Sequence, residues 1–229
     1  MPGRLGGFVI AAATALVILG ASIVPFTTPA YVRLEQGRTG VAALTGFGED
    51  ELDRATGAIL GDLFLWRGSF DFADPRLGPI LNEREQAHMR DVRGVFLGFE
   101  VLIVVAVLIL AGAFRRGRSA EARAATWRAV GRGARGLAIA LVIAGAFAAF
   151  AFDAAFEVFH RLFFSAGSYT FDPRTDRLVQ LFPEQFWSET AIAVGALSIA
   201  LAIAVALLAA RRAVATTPAT VLAASRARP

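Results

Sequence analysis

Cysteine and lysine are both absent from this 229-residue chain, and histidine occurs only twice, as His88 and His160. With no cysteine there is no disulfide, no thiolate metal ligand and no thiol nucleophile, and cysteine usage carries no record of the redox compartment. All 23 basic residues are arginine, which together with the abundance of alanine reads as the coding bias of a GC-rich genome. Several motifs are missing as well. No G-x-S-x-G elbow is present for a serine acyl-enzyme, and no phosphate loop or dinucleotide fingerprint appears. What the chain has in excess is apolar surface. It is 56% hydrophobic with a mean hydropathy of +0.57, too apolar for an ordinary soluble domain.

Four stretches meet the requirement of about 20 mostly apolar residues for crossing a hydrocarbon core. They lie at about 5–24, 94–114, 136–156 and 190–210. Pro25 and Pro29 close the first, Arg115-Arg116 the second and Arg211-Arg212 the fourth. The first is read as a span rather than a secretory signal, because its apolar run is long and only Arg4 precedes it.

Arginine placement sets the expected topology. The linker 115–135 carries seven arginines against Glu121 alone, and Arg4, Arg211, Arg212, Arg226 and Arg228 flank the outer spans. Segment 25–93 instead has eight arginines against eleven acids, and segment 153–189 has three against six. By the positive-inside rule both termini and the linker are cytoplasmic, and the acidic segments 25–93 and 157–189 are extracytoplasmic. The arginine-rich linker is a topology signal in contact with anionic headgroups, and nucleic acid is not an expected partner.

Segment 25–93 is too long for a plain loop. Residues 49–66 place acids in the first turn and apolar residues at helical spacing, which predicts an amphipathic helix. A short alternating stretch before Pro75 and Pro79 reads as strand-like. Asn82 then opens N-E-R-E, a capping box whose helix runs through His88 and Asp91 into the second span. Segment 165–189 holds two β-prone runs around a Pro-containing turn and predicts a hairpin. The expected fold is therefore all-α and membrane-integral: a four-helix transmembrane bundle, forming one domain over 1–229, with a small mixed α/β cap outside the cytoplasm.

Both histidines stand at the outer ends of spans. Glu85, His88 and Asp91 share one helical face above the second, and Glu157 and His160 do so beyond the third, with Asp153 one turn earlier. Glu100, about two turns into the second span, is expected to face the bundle interior. Two chemistries fit a pair of His–carboxylate clusters. One is metal or haem ligation, although the di-iron bundle pattern needs further glutamates that the first span lacks. The other is general acid–base catalysis, in which each carboxylate orients its imidazole. A non-catalytic accessory role in the outer leaflet is the third alternative.

Two stretches carry a resemblance. NEREQAHMRDVR at 82–93 and FHRLFFSAGSYTFDPRTDRLVQLFPEQFW at 159–187 resemble the lipoprotein intramolecular transacylase family of four-span bacterial membrane proteins, and span count and order agree along nearly the whole chain. One departure is Tyr169, where the family often has tryptophan. The resemblance implies transfer of the sn-2 acyl chain of a diacylglyceryl-cysteine to that cysteine's α-amine, at the outer face of the bacterial cytoplasmic membrane. It implies His88 and His160 as catalytic residues and needs neither metal nor cofactor. Glu85, Asp91 and Glu157 are the expected supporting acids. Arg84, Arg161 or a protonated second histidine are the expected donors to the oxyanion. The implied partners are the lipoprotein N-terminus and the bilayer.

Overall fold

The computed structural model describes residues 3–65, 68–165 and 167–215. The tail from 216 onward, expected to fray, lies outside the described residues together with Arg226 and Arg228. In chain order the elements are α1 (Arg4–Ile23), a 3-10 turn (Val24–Thr27), α2 (Pro29–Arg38), α3 (Val41–Thr45) and α4 (Glu49–Phe64). Strands β1 (Ala73–Asp74) and β2 (Gly78–Pro79) follow. Then come α5 (Glu83–Arg116), α6 (Ala120–Phe150), α7 (Phe152–Phe163), α8 (Arg177–Leu181) and α9 (Glu184–Ala215). Four helices are long and apolar enough to cross a membrane: Arg4–Thr27, Glu83–Arg116, Ala120–Phe150 and Glu184–Ala215.

The chain forms two compact units. Of the described residues, the first comprises 3–22, 100–145 and 195–215 and so holds part of each long helix. Ile10 packs with Ala129, Val130 and Ala209, and Ile18 packs with Ala134, Leu137 and Ala202. Small residues bring the backbones together, as is usual where lipid replaces water and packing must supply the attraction. The closest approach is at Gly133, where an added Cβ would stand 2.2 Å from the carbonyl oxygen of Ala11. Gly133→Ala therefore forces α1 and α6 apart. We expect it to lower the thermal midpoint of detergent-purified protein by several degrees, whereas Gly136→Ala, with open space at its Cβ, leaves it unchanged.

The linker expected over 115–135 is mostly helix, and only Gly117–Ser119 separate α5 from α6. Alanine and arginine are strong helix formers, so the arginine-rich run extends α6 instead of leaving it. The third expected span, 136–156, is cut at Ala151 (φ −149°, ψ 52°), where α6 ends and α7 begins. Nothing in the local sequence explains that break. Glu100, expected to point inward, is exposed.

The second unit, residues 23–99 and 146–194, is built around Phe70, Ile59, Leu81, Val41 and Leu181, with Met89 and Leu178 beside them. Glycines at positive φ, Gly40 (69°) and Gly46 (70°), turn the chain on either side of α3. Strands β1 and β2 pair antiparallel, with Ala73 opposite Pro79, and Arg54 ties β1 to α4 through Asp74 at 2.8 Å. The hairpin expected over 165–189 does not form. Leu178, Leu181 and Phe182 are buried at helical spacing, so the run winds into α8 and its apolar side enters the core.

Candidate active site

The N-E-R-E cap forms as expected and starts α5. The Asn82 N–H donates to Glu85 Oε2 (2.7 Å), and the Glu85 N–H returns a bond to Asn82 Oδ1 (3.0 Å). At 34 residues, α5 is about 51 Å long, well beyond the ~30 Å of a hydrocarbon core. Its apolar stretch is 94–114, so the charged turns 83–93 project out of the span. His88 lies one turn past the cap, on the side that enters the core next to Met89.

α7 places the other ring. Its one buried residue is His160, while Val158, Phe159, Leu162 and Phe163 are exposed. The two imidazoles lie 6.2 Å apart between centroids, within 22° of parallel. They are 7% and 8% exposed. Aromatic rings wall them in: Phe164 and Phe171 stand 4.9 Å and 5.5 Å from His88, and Phe156 and Tyr169 stand 4.1 Å and 4.9 Å from His160.

The two rings differ electrically. His160 Nδ1 lies 2.8 Å from the carbonyl oxygen of Phe156. A carbonyl only accepts, so Nδ1 carries the proton and the neutral ring keeps its lone pair at Nε2. His88 Nδ1 is buried without a partner. Burial lowers the pKa of His88 to about 4. The His160 ring pushes in the same direction, and exposed Asp91 opposes weakly through its charge.

A histidine held neutral in this way ties stability to pH. The contribution of His88 is complete above its ordinary value of 6.5 and is lost as pH falls through the window from 6.5 to about 4. Its size is about 3 kcal/mol. The thermal midpoint of the wild type should therefore fall more steeply between pH 6.5 and 4 than that of His88→Phe. Parallel curves would contradict the assignment.

The expected carboxylate–imidazole pairs are replaced by other contacts. Besides the cap, Glu85 accepts at 2.6 Å from the N–H of Leu178, so it joins α5 to α8 and is 1% exposed. Burial raises its carboxyl above the ordinary value, against the two N–H groups that favour the charged form. Glu157 binds Arg161 at 2.7 Å, and the Tyr169 hydroxyl donates to the same oxygen at 3.1 Å. A cation at i+4 outcompetes the imidazole at i+3. Arg84 donates to the Thr170 carbonyl at 2.6 Å and lies 3.5 Å from Asp176, which pins the loop bearing Phe171 and Tyr169. Among the described residues, no group of three His, Cys, Asp or Glu is arranged to hold a metal ion. Spacing alone gave no sign of the wall formed by Phe164, Phe171 and Tyr169.

Long apolar helices and a buried pair of facing imidazoles define a helical, membrane-integral protein with a histidine-pair site. The particular family follows from the sequence match: the chain belongs to the lipoprotein intramolecular transacylase family, Lit, whose family model matches residues 8–187. It is thus a transferase, a transacylase acting on lipoproteins. The membrane-integral lipoprotein intramolecular transacylase Lit from Bacillus cereus has a similar fold. It shares 20% identity over 91% of this chain and 94% of its own, with a TM-score of 0.74. Two variants of that protein, with one histidine replaced by arginine or by alanine, are 17% and 18% identical. Both have a TM-score of 0.66 over 91% of this chain, covering 91% and 92% of their own chains. No curated protein matches the sequence.

Proposed function

We propose that this protein moves the sn-2 acyl chain of a diacylglyceryl-cysteine onto the α-amine of the same cysteine, with His160 as base and His88 as a neutral hydrogen-bond donor. The observation that carries the proposal is the pair itself: two buried rings 6.2 Å apart, one with its lone pair directed by the Phe156 carbonyl and the other kept neutral by burial. An ester becomes an amide within one molecule, so no cofactor or energy source is required. The α-amine, with an ordinary pKa near ~7.7, must lose a proton to attack. That first proton goes to water; as the neutral amine's nitrogen adds to the ester carbonyl carbon, a second N–H proton passes to His160 Nε2. The C–O bond to the glycerol sn-2 oxygen then breaks, and the same proton goes to the departing oxygen.

The oxyanion formed in between needs a donor. A ring with a pKa of about 4 is a poor base at neutral pH, but as a neutral N–H donor it needs no counter-charge. This replaces the protonated second histidine expected from the sequence. Arg84 and Arg161 are already committed to Thr170, Asp176 and Glu157, which suits them to shaping the site. The arginine distribution supports cytoplasmic termini, a site on the outer face of the bacterial cytoplasmic membrane, and a substrate arriving from the outer leaflet.

The test is expression in a bacterium that lacks its own N-acylating enzymes. Diacylglyceryl lipoproteins should become N-acylated, lyso-glyceryl forms of unchanged mass. A gain of one acyl chain would mean a phospholipid donor and would refute the intramolecular route.

A further inference from the structure

The second unit holds another polar cluster, and it shares no residue with the histidine site. Tyr31, Glu35 and Arg38 follow one another along α2, and Glu189 and Thr190 lie near the start of α9. The Arg38 guanidinium binds Glu189 Oε2 at 2.9 Å and lies 3.5 Å from Glu35 Oε2. Gln185 donates to Glu189 Oε1 at 2.7 Å, and the hydroxyls of Tyr31 and Thr190 are 2.8 Å apart. Glu35 is the exception in this network. It is 4% exposed, and its Oε1 has no hydrogen-bond partner. Together with Tyr31, Arg38, Glu189, Ile192 and Ala193 it lines an open pocket of about 300 Å³.

A buried carboxylate oxygen without a donor is costly, and a ligand that brings an N–H removes the cost. Burial raises the Glu35 carboxyl, and Glu189 adds to that effect while Arg38 opposes it. Glu35 shares a side-chain hydrogen bond with Glu189, which leaves its Oε1 as the unfilled acceptor for an added ammonium. Arg38 keeps donors free, since its side chain is 59% exposed. The remaining wall is apolar: Ile192, 73% exposed, opens the hydrocarbon-facing run of α9.

We propose that this pocket binds the headgroup of an aminophospholipid. Its primary ammonium donates to Glu35, its phosphate meets Arg38, and its glycerol end leaves along Ile192 and Ala193. The N–H requirement makes the site selective. A choline headgroup carries the same charge and phosphate but has no N–H to offer.

The test uses the full chain in nanodiscs of equal phosphatidylethanolamine, phosphatidylcholine and phosphatidylglycerol, with retained lipid counted by native mass spectrometry. The expected result is one retained lipid, with ethanolamine favoured over choline by about tenfold or more. Glu35→Gln should bring that ratio close to one, while His88→Ala leaves it unchanged, so this proposal and the catalytic one fail separately. A second reading needs no variant: phosphatidylethanolamine should raise the melting temperature of the wild type above its value in phosphatidylcholine alone. Equal retention of the two zwitterionic lipids, or equal melting in both, would show that the cluster is only a clasp between α2 and α9 and would overturn the proposal.

Discussion

We expect His160→Asn to lower the rate of acyl transfer by about 10²–10⁴, the range for loss of a positioned general base. His88→Asn should cost only about tenfold, because an amide N–H could still donate to an oxyanion. The contrast follows from the roles: asparagine replaces a hydrogen-bond donor but cannot take a proton from an amine. Purified variants in mixed micelles with a synthetic diacylglyceryl lipopeptide would report both rates by mass spectrometry of the lyso product. His160→Ala and His88→Ala should both be severely impaired, so the alanine pair does not separate the roles and the asparagine pair does. Equal losses in the two asparagine variants, or the larger loss at His88, would reverse the assignment of base and donor.

Glu85→Ala is the second large effect, and it acts on folding. The carboxylate is 1% exposed and accepts two backbone N–H groups, from Asn82 and from Leu178. Removing it leaves the buried Leu178 N–H unpaired, at about 1–3 kcal/mol, and strips the cap from the exposed Asn82 N–H. Glu85→Gln preserves one acceptor and turns its NH₂ toward an N–H, so it should cost roughly half as much. The expected signature is a lower yield and thermal midpoint, with activity per folded molecule within a few-fold of wild type. An unchanged midpoint with lost activity would instead give Glu85 a direct part in the chemistry. Since Glu85 contacts neither ring through a hydrogen bond, the effect on rate is indirect: it fixes where α5 begins, and therefore where His88 stands.

The parts of this protein that could be read in its sequence are those set within one or two helical turns. The long apolar runs, the Asn82–Glu85 cap and the amphipathic helix at Glu49–Phe64 each depend on neighbours three or four residues away. Local reading failed where two local signals competed. In RLVQLF the helical spacing of Leu178, Leu181 and Phe182 prevailed over β propensity, because that spacing buries all three. At Glu157 the nearer claimant was Arg161, and the imidazole at His160 lost its expected partner. The break at Ala151 carried no signal at all.

Composition and periodicity by themselves determined that the chain is membrane-integral and helical, that it has four apolar spans, and that His88 and His160 are its two candidate imidazoles. Tertiary structure decided what each imidazole can do. Spacing fixes the angle at which a side chain leaves its own helix, but not what stands opposite. The bond from Leu178 to Glu85 spans 93 residues, and the rings that bury His88 come from Phe164 and Phe171. The cluster that holds the unpartnered oxygen of Glu35 joins α2 to α9, since Arg38 binds Glu189 across 151 residues. Desolvation and orphaned polar atoms are properties of an enclosure, and an enclosure is assembled from segments that are distant along the chain.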